Sequence, residues 1–294
     1  VTAVPPAAVP ADRPRLVVTG AGGQLGRAVL AHEPAALALG HHDLDITDAA
    51  AVRKVLRPDD ILLNCAAYTA VDAAESEPDA AFAGNATGPA VLAEECRAVG
   101  ARMVHISTDY VFDGTSTRPY EPGDPTSPTS VYGRSKLAGE EAVLRSGPGA
   151  HIVRTAWVYT GDRRDFVATM RRLERERETV TVVDDQTGSP TFAPDLAAGL
   201  LELTSRIAAG DELPPILHAT NTGRATWYDV ARAVFAGVGA DPDRVRPCTS
   251  AEYPSPVRRP AYSVLSDEAW IAAGLSPLRD WREALGDALR RVAD

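Results

Sequence analysis

The sequence predicts an α/β protein, a doubly wound parallel sheet followed by a smaller C-terminal cap. Three observations predict it. Short β-branched apolar runs alternate with Ala-rich helical stretches in the first half of the chain. A glycine-rich turn follows the first such run and opens a helix. Beyond about residue 160 the texture shifts to charged helices separated by Gly- and Pro-bearing loops.

The first run, residues 15–19, is short, apolar and β-branched, as a buried parallel strand requires. The turn at residues 20–26 comes next, then an apolar helix through Leu30. A second strand near residues 36–39 ends in Gly40-His41-His42. Residues 61–64, 103–107 and 150–154 read as further strands, and residues 78–99 as the clearest helical stretch between them. Strands alternating with helices indicate a doubly wound sheet. Residues 166–177 then read as a charged helix, 184–194 as a loop with Gly188 and Pro190, 194–208 as a helix and 216–220 as a strand. Thr226-Trp-Tyr-Asp229 has the form of a capping box, opening a helix with Val230, Val234 and Phe235 on its apolar face. Residues 281–292 close the chain as a helix with Trp281, Leu285, Ala288, Leu289 and Val292 on one face. The expected organisation is a tail at 1–12, a sheet domain at 13–160 with later segments returning to it, and a cap drawn mainly from 161–294.

Composition narrows the classes. The net charge of −10 argues against nucleic acid as a partner. No apolar run reaches the 18 or so residues that a membrane helix needs. The Pro- and Ala-rich start has neither a basic nor an apolar signal-peptide region and reads as a disordered tail. Cys65, Cys96 and Cys248 show no metal or disulfide spacing, so no metal is expected and a reducing cytoplasm fits.

Thr19-Gly-Ala-Gly-Gly-Gln-Leu-Gly26 places glycines at 20, 23 and 26 between a strand and a helix. Gly20 permits the tight turn, Gly23 the approach of a pyrophosphate, and Gly26 close packing of helix on strand. The helix N-terminus then offers N–H groups to phosphate. This is the signature of a Rossmann-type dinucleotide site; the bland alternative is a plain Gly-rich turn. An acid usually ends the second strand to meet the adenosine ribose. Its absence here leaves room for a 2′-phosphate, with His41, His42 or Arg27 near it, and points to NADPH, with NADH possible. Asp45 and Ile46 are placed beside the adenine; the alternative makes Asp45 or Thr47 a helix N-cap.

Tyr132-Gly-Arg-Ser-Lys136 puts a phenol and an amine on one helix face. Eight tyrosines and two lysines give about 0.05 such pairs by chance. The chemistry explains the pair. Reducing a ketone requires hydride at carbon and a proton at oxygen. A free tyrosine holds its proton with a pKa of about 10, and a neighbouring ammonium eases its release. Lysine can also fix a nicotinamide ribose. Thr108, at the end of the strand read at 103–107, is placed to donate to the substrate oxygen as charge develops.

Several runs together resemble the dTDP-4-dehydrorhamnose reductase family of extended short-chain dehydrogenases and reductases. They are Gly23-Gln-Leu-Gly26, Asn64-Cys-Ala-Ala-Tyr-Thr-Ala-Val-Asp72, His105-Ile-Ser-Thr-Asp-Tyr-Val-Phe-Asp113, Tyr132-Gly-Arg-Ser-Lys-Leu-Ala-Gly-Glu140, Arg154-Thr-Ala-Trp-Val-Tyr159 and Asp185-Gln-Thr-Gly-Ser-Pro-Thr191. The resemblance runs from about residue 15 to the C-terminus. It implies that Thr108, Tyr132 and Lys136 form the catalytic triad. It implies that Gly23, Gln24 and Leu25 contact the pyrophosphate, and that a loop of Ala66, Ala67, Tyr68 and Thr69 lies beside the cofactor. Thr108, Asp109 and Trp157 are implied as substrate contacts. Arg258 and Arg259 match a late motif near the substrate diphosphate, the alternative being a solvated charge pair. Some members form metal-bridged dimers through an acid after the glycine turn. Here Gly26-Arg-Ala-Val has none, so that bridge is not expected, and a monomer or homodimer is.

The implied activity is reduction of the 4-keto group of a dTDP-linked 6-deoxyhexose, as in making dTDP-L-rhamnose. A dedicated ketoreductase for an unusual deoxysugar is a neighbouring reading. A non-catalytic regulatory subunit of this fold is another, disfavoured because the triad is intact. An epimerase or dehydratase would want an acid beside the catalytic Thr. Asp109 is one, but it belongs to the family's own Ser-Thr-Asp-Tyr-Val-Phe run.

Overall fold

The computed structural model describes residues 14–162, 164–253 and 255–291. The tail expected at 1–12 and Val292 lie outside them. In chain order the first half runs β1 (Leu16–Thr19), α1 (Gln24–His32), β2 (Leu37–Leu39), α2 (Ala49–Val55), β3 (Ile61–Asn64), α3 (Val71–Ala74), α4 (Pro78–Phe82), α5 (Gly88–Val99), β4 (Arg102–Thr108), α6 (Val131–Arg145) and β5 (Ala150–Thr155). The second half runs β6 (Val158–Tyr159), α7 (Phe166–Glu176), β7 (Val180–Val183), β8 (Thr187–Gly188), β9 (Thr191–Phe192), α8 (Ala193–Ala209), β10 (Ile216–His218), β11 (Ala225–Thr226), α9 (Trp227–Gly237), β12 (Val245–Cys248), α10 (Glu268–Ala272) and α11 (Trp281–Arg291).

Six strands form one parallel sheet in the order β10-β5-β4-β3-β1-β2. Its central strands are buried on both faces, which is why β3 reads as a near-continuous apolar run; β5, equally buried, also takes His151, Arg154 and Thr155 inside. From β1 the chain winds outward to β2, then resumes at β3 on the other side. The loops that leave β1 and β3 at their carboxyl ends therefore diverge and open a crevice at this switch point.

Helices α1, α8 and α10 cover one face with Leu25, Leu196, Leu200, Leu203 and Trp270. Helices α2, α5 and α6 cover the other with Val52, Leu92 and Val143. Segments from beyond residue 160, namely α8, β10 and α10, thus build the sheet layer. A second core gathers α7, α9 and α11 around Phe192, Phe235 and Trp281, beside the β7–β12 pair.

Local departures from the sequence reading have clear causes. The helix read at 78–99 is broken by a π-helical turn at Ala83–Thr87, which carries Asn85 into a fully buried position. Neither Asp45 nor Thr47 caps α2; Asp48 does, accepting from the N–H groups of Ala50 and Ala51. Asp45 instead accepts from the backbone and hydroxyl of Thr47. The loop read at 184–194 contains β8 and β9, paired with β11 and β6. The capping box of Thr226 and Asp229 forms in full.

Candidate active site

The glycine turn sits at the switch point. Gly20 has φ +68°, and a Cβ there would lie 2.5 Å from the backbone N of Ala66. The two diverging loops touch at this point, which only glycine allows. Gly26 lies behind the turn, where a Cβ would come within 2.3 Å of the Gly20 carbonyl; it reaches neither cleft and serves packing. Gly23 precedes α1 without any side-chain cap, so the first N–H groups of the helix keep no side-chain partner.

Two clefts meet at the turn and share Gly22, Gly23, Cys65 and Ala67 as lining residues. The smaller, of about 650 Å³, is lined by Gly20, His41, Asp45, Ile46, Ala66 and Tyr68. His42 and Arg27 are exposed and line neither cleft. The loop of residues 66–69 is clamped by Asn85, whose Oδ1 accepts from the Tyr68 N–H at 2.9 Å. The Asn85 amide donates to the Tyr68 carbonyl and to Ser135 Oγ on α6, both at 3.0 Å. Thr69 faces the larger cleft, of about 1060 Å³, together with Gln24 and Leu25.

The larger cleft also receives Thr108, Asp109, Tyr132, Lys136, Trp157 and Arg259. Ser130 caps α6, accepting from the Gly133 N–H, while Glu75 accepts from the Val131 N–H. The helix start is thus held twice, and its first turns carry Tyr132 and Lys136, 8% and 2% exposed. Thr108 Oγ1 donates to Asp109 Oδ1 at 2.9 Å and accepts from the Tyr110 N–H at 3.2 Å. Lys136 Nζ donates to the Ile106 carbonyl at 2.6 Å and lies 3.3 Å from His105 Nε2.

Burial dominates the electrostatics. It pushes the Tyr132 phenol above its ordinary value, with Asp109 and Tyr110 adding to the rise and the Thr108 hydroxyl opposing it. It brings Lys136 down to about 8, against the pull of Glu140 and Cys65. It raises Asp109 to about 6, although hydrogen bonds from Ser263 and Thr108 favour the carboxylate. It lifts the Cys65 thiol to about 12, so that Cys65 stays protonated at neutral pH.

Across the cleft, Trp157 stands in the left-handed region at φ +47°. Its ring lies against Gly188, where a Cβ would come within 2.5 Å, and stacks on Trp227 at 3.6 Å between centroids. Phe166 extends this aromatic wall, 4.5 Å from Trp227. Arg259 pairs with both oxygens of Asp72 at 3.1 Å and donates to the Tyr110 hydroxyl at 3.3 Å. Arg258 is exposed and lines neither cleft. The sequence reading missed Cys65, Asn85, Phe166 and Trp227. Trp227 was visible only as the residue after a helix cap, and nothing in a local pattern says which way such a residue faces.

A doubly wound sheet whose switch-point glycine turn shares a cleft with a Tyr-x-x-x-Lys helix defines an extended short-chain dehydrogenase/reductase. The chain belongs to the family described as the RmlD substrate binding domain, which matches residues 14–293. It is 54% identical over 289 residues to a dTDP-4-dehydrorhamnose reductase of Mycobacterium tuberculosis, covering 95% of this chain and 94% of that one. It is 48% identical over 285 residues to a probable dTDP-4,6-dihydroxy-2-methyloxan-3-one 4-ketoreductase of Streptomyces antibioticus, covering 93% of this chain and 94% of the relative. Among solved structures it resembles the dTDP-4-dehydrorhamnose reductase of Bacillus anthracis in complex with NADP. That match has a TM-score of 0.87 and 35% identity, over 95% of this chain and 99% of the other.

Proposed function

We propose that this protein uses NADPH to reduce the 4-keto group of a dTDP-linked 6-deoxyhexose, converting dTDP-4-dehydro-L-rhamnose to dTDP-L-rhamnose. The observation that carries this reading is that Thr108, Tyr132 and Lys136 line one cleft with the glycine turn. The relatives' names supply the substrate class.

The residues present fit a dinucleotide. A Cβ at Gly22 would meet open space, so a ligand can approach the backbone there. Ser107 Oγ and Thr155 Oγ1 are buried at the larger cleft and have no partner among the described residues. In this reading Gly20, Gly23, Gln24 and Leu25 hold the pyrophosphate, with Gly26 behind them. Asp45, Ile46 and the loop of Ala66, Ala67, Tyr68 and Thr69 hold the adenosine side, and Lys136 the nicotinamide ribose. His41, with no acid at the end of β2, suits the extra phosphate of NADPH over NADH. Bound there, the cofactor supplies the hydride.

The chain's own residues do the rest. Tyr132, kept protonated by burial, gives its proton to the oxygen as negative charge develops there, a contribution of roughly 10²–10⁴-fold. Thr108 holds that oxygen, and Lys136 stabilises the phenolate left behind. Trp157 offers a flat face to the C–H groups of the sugar, with Asp109 beside it. Arg259 is the cation for the diphosphate. The lobe around Phe192, Phe235 and Trp281 forms the substrate-binding unit, and the sheet layer binds the cofactor. The three cysteines, all free, suit a reducing cytoplasm, where the protein works as a monomer or homodimer.

The Streptomyces antibioticus relative favours a second reading, a ketoreductase for a rarer deoxysugar. Turnover of dTDP-4-dehydro-L-rhamnose with NADPH, with the product identified by NMR, separates the two. Oxidation of NADPH on no dTDP-4-ketohexose would overturn both. Tyr132→Phe is expected to lose about 10²–10⁴-fold in kcat while still binding NADPH. Near-normal turnover in that variant would remove Tyr132 from the reaction.

A further inference from the structure

Behind Lys136, away from Tyr132, lies a buried chain of polar groups that the reaction as described does not use. It runs Thr19, Asn64, His105, Lys136, and the first three are at most 1% exposed. Each link fixes the next. The Ala66 N–H is only a donor, and it donates to Asn64 Oδ1 at 3.1 Å. Thr19 Oγ1 donates to the same oxygen at 2.7 Å. The Asn64 amide is therefore oriented with its nitrogen on the far side, 2.9 Å from His105 Nδ1. An amide nitrogen only donates, so His105 Nδ1 must accept and carries no proton.

Burial and the nearby Lys136 hold His105 well below the ordinary histidine range, so the ring is neutral. A neutral imidazole has one proton, which here must sit on Nε2. Nε2 faces Lys136 Nζ at 3.3 Å. An ammonium has three donors and no acceptor, so it cannot bond to an N–H. The neutral amine can accept from Nε2–H through its lone pair while still donating to the Ile106 carbonyl.

We propose that His105 is a positioning residue that stabilises the neutral amine of Lys136, so that this lysine can hand its proton to Tyr132 after each turnover. The inference rests on the reductase reading. The proton leaves Lys136 Nζ for the Tyr132 phenolate oxygen, and water entering the cleft that Lys136 lines returns one to Nζ before the next cycle. The lone pair this exposes on Nζ accepts from His105 Nε2–H, and no proton leaves His105. The other titratable groups that bear on Lys136 are the Cys65 thiol beyond β3 and Glu140 one turn along; Tyr132 lies one turn earlier on the same helix. Glu140 is already paired with Arg154 of β5 through two hydrogen bonds, and Cys65 remains a thiol. His105 is therefore the neighbour that bears most directly on the amine form.

The test uses the full chain without cofactor or substrate. Long-range ¹H–¹⁵N spectra report which imidazole nitrogen bears the proton, and His105→Phe assigns the signal. The expected result is a bare Nδ1 and a protonated Nε2. The chain has two lysines, so ¹³C,¹⁵N-lysine labelling gives two titrating signals, and Lys54→Arg assigns them. Lys136 is expected to titrate well below Lys54. Asn64→Leu frees Nδ1 to take the proton and leaves Nε2 as an acceptor for the ammonium. It should raise the Lys136 midpoint by about one pH unit. A proton on Nδ1 in the native protein overturns the inference, as does a Lys136 midpoint equal to that of Lys54 or unmoved in Asn64→Leu. If Asn64→Leu fails to fold, the native tautomer decides. These readouts need no turnover, so a failed sugar assay would leave them standing, and their failure would leave the reductase reading intact.

Discussion

Asp109 follows Thr108 in sequence and is 2% exposed, yet it is a carboxyl with a pKa of about 6. Below about pH 4 the folded and unfolded chains both hold this proton, and the group costs nothing. As pH rises from 4 towards 6 the unfolded chain releases it and the folded one does not, so stability falls. Above about pH 6 the cost is constant, of order 3 kcal/mol. Asp109→Asn keeps an oxygen for Thr108 and removes the charge. It should therefore be more stable than the native protein by about 2–3 kcal/mol near pH 8 and no more stable near pH 4, as measured by urea unfolding at both values. An equal gain at both pH values would show that the buried charge is not its source. Thr108, Tyr132 and Lys136 were legible in the sequence from their spacing after a strand and along a helix, and Trp157 only through the family resemblance of its run. Trp227 and Cys65 were not, because what brings them to the cleft is the packing of β11 on β8 and of the glycine turn on the loop after β3.

At the level of elements, α6 carries the phenol and amine, and its N-terminus fixes where they point. Ser130→Ala removes one of the two anchors of that terminus and is expected to cost about 1 kcal/mol of stability, read by chemical denaturation. The Glu75 contact to the Val131 N–H should keep the helix start in place, so Tyr132 stays at the cleft. A loss well above this would mean that the Ser130 cap orders more than one turn. The order of strands and helices was readable because buried parallel strands are short apolar runs and the glycine turn marks the first crossover. The π-helical turn at Ala83–Thr87 was not, since a single extra residue shifts the face of an Ala-rich helix without changing its composition. That shift matters, because it turns Asn85 inward to grip the loop at Tyr68 and α6 at Ser135.

For the molecule as a whole, the chain returns to the sheet after leaving it. Leu196, Leu200 and Leu203 of α8 and Trp270 of α10 complete the apolar layer on the α1 face of the sheet, and β10 completes the edge beside β5. A fragment ending at residue 160 would expose that face and edge. It is expected to lack dispersed amide NMR signals and cooperative melting, whereas the full chain shows both; a well-folded fragment would make the later segments accessory. Arg279 of the second lobe bonds Asp195 at the start of α8 through both Nε and a terminal nitrogen, at 2.8 and 2.9 Å, tying the layers together. The sequence reading expected later segments to come back but could not say which, since a helix covering a sheet and one within a lobe share the same periodicity. The shared border of the two clefts at Gly22, Gly23, Cys65 and Ala67 has a practical corollary for inhibition. A fragment bound on the adenosine side and one bound on the sugar side end on the same few backbone atoms. A short tether joining them there converts the second capture into an intramolecular event, and such a chimeric compound should bind far more tightly than either half.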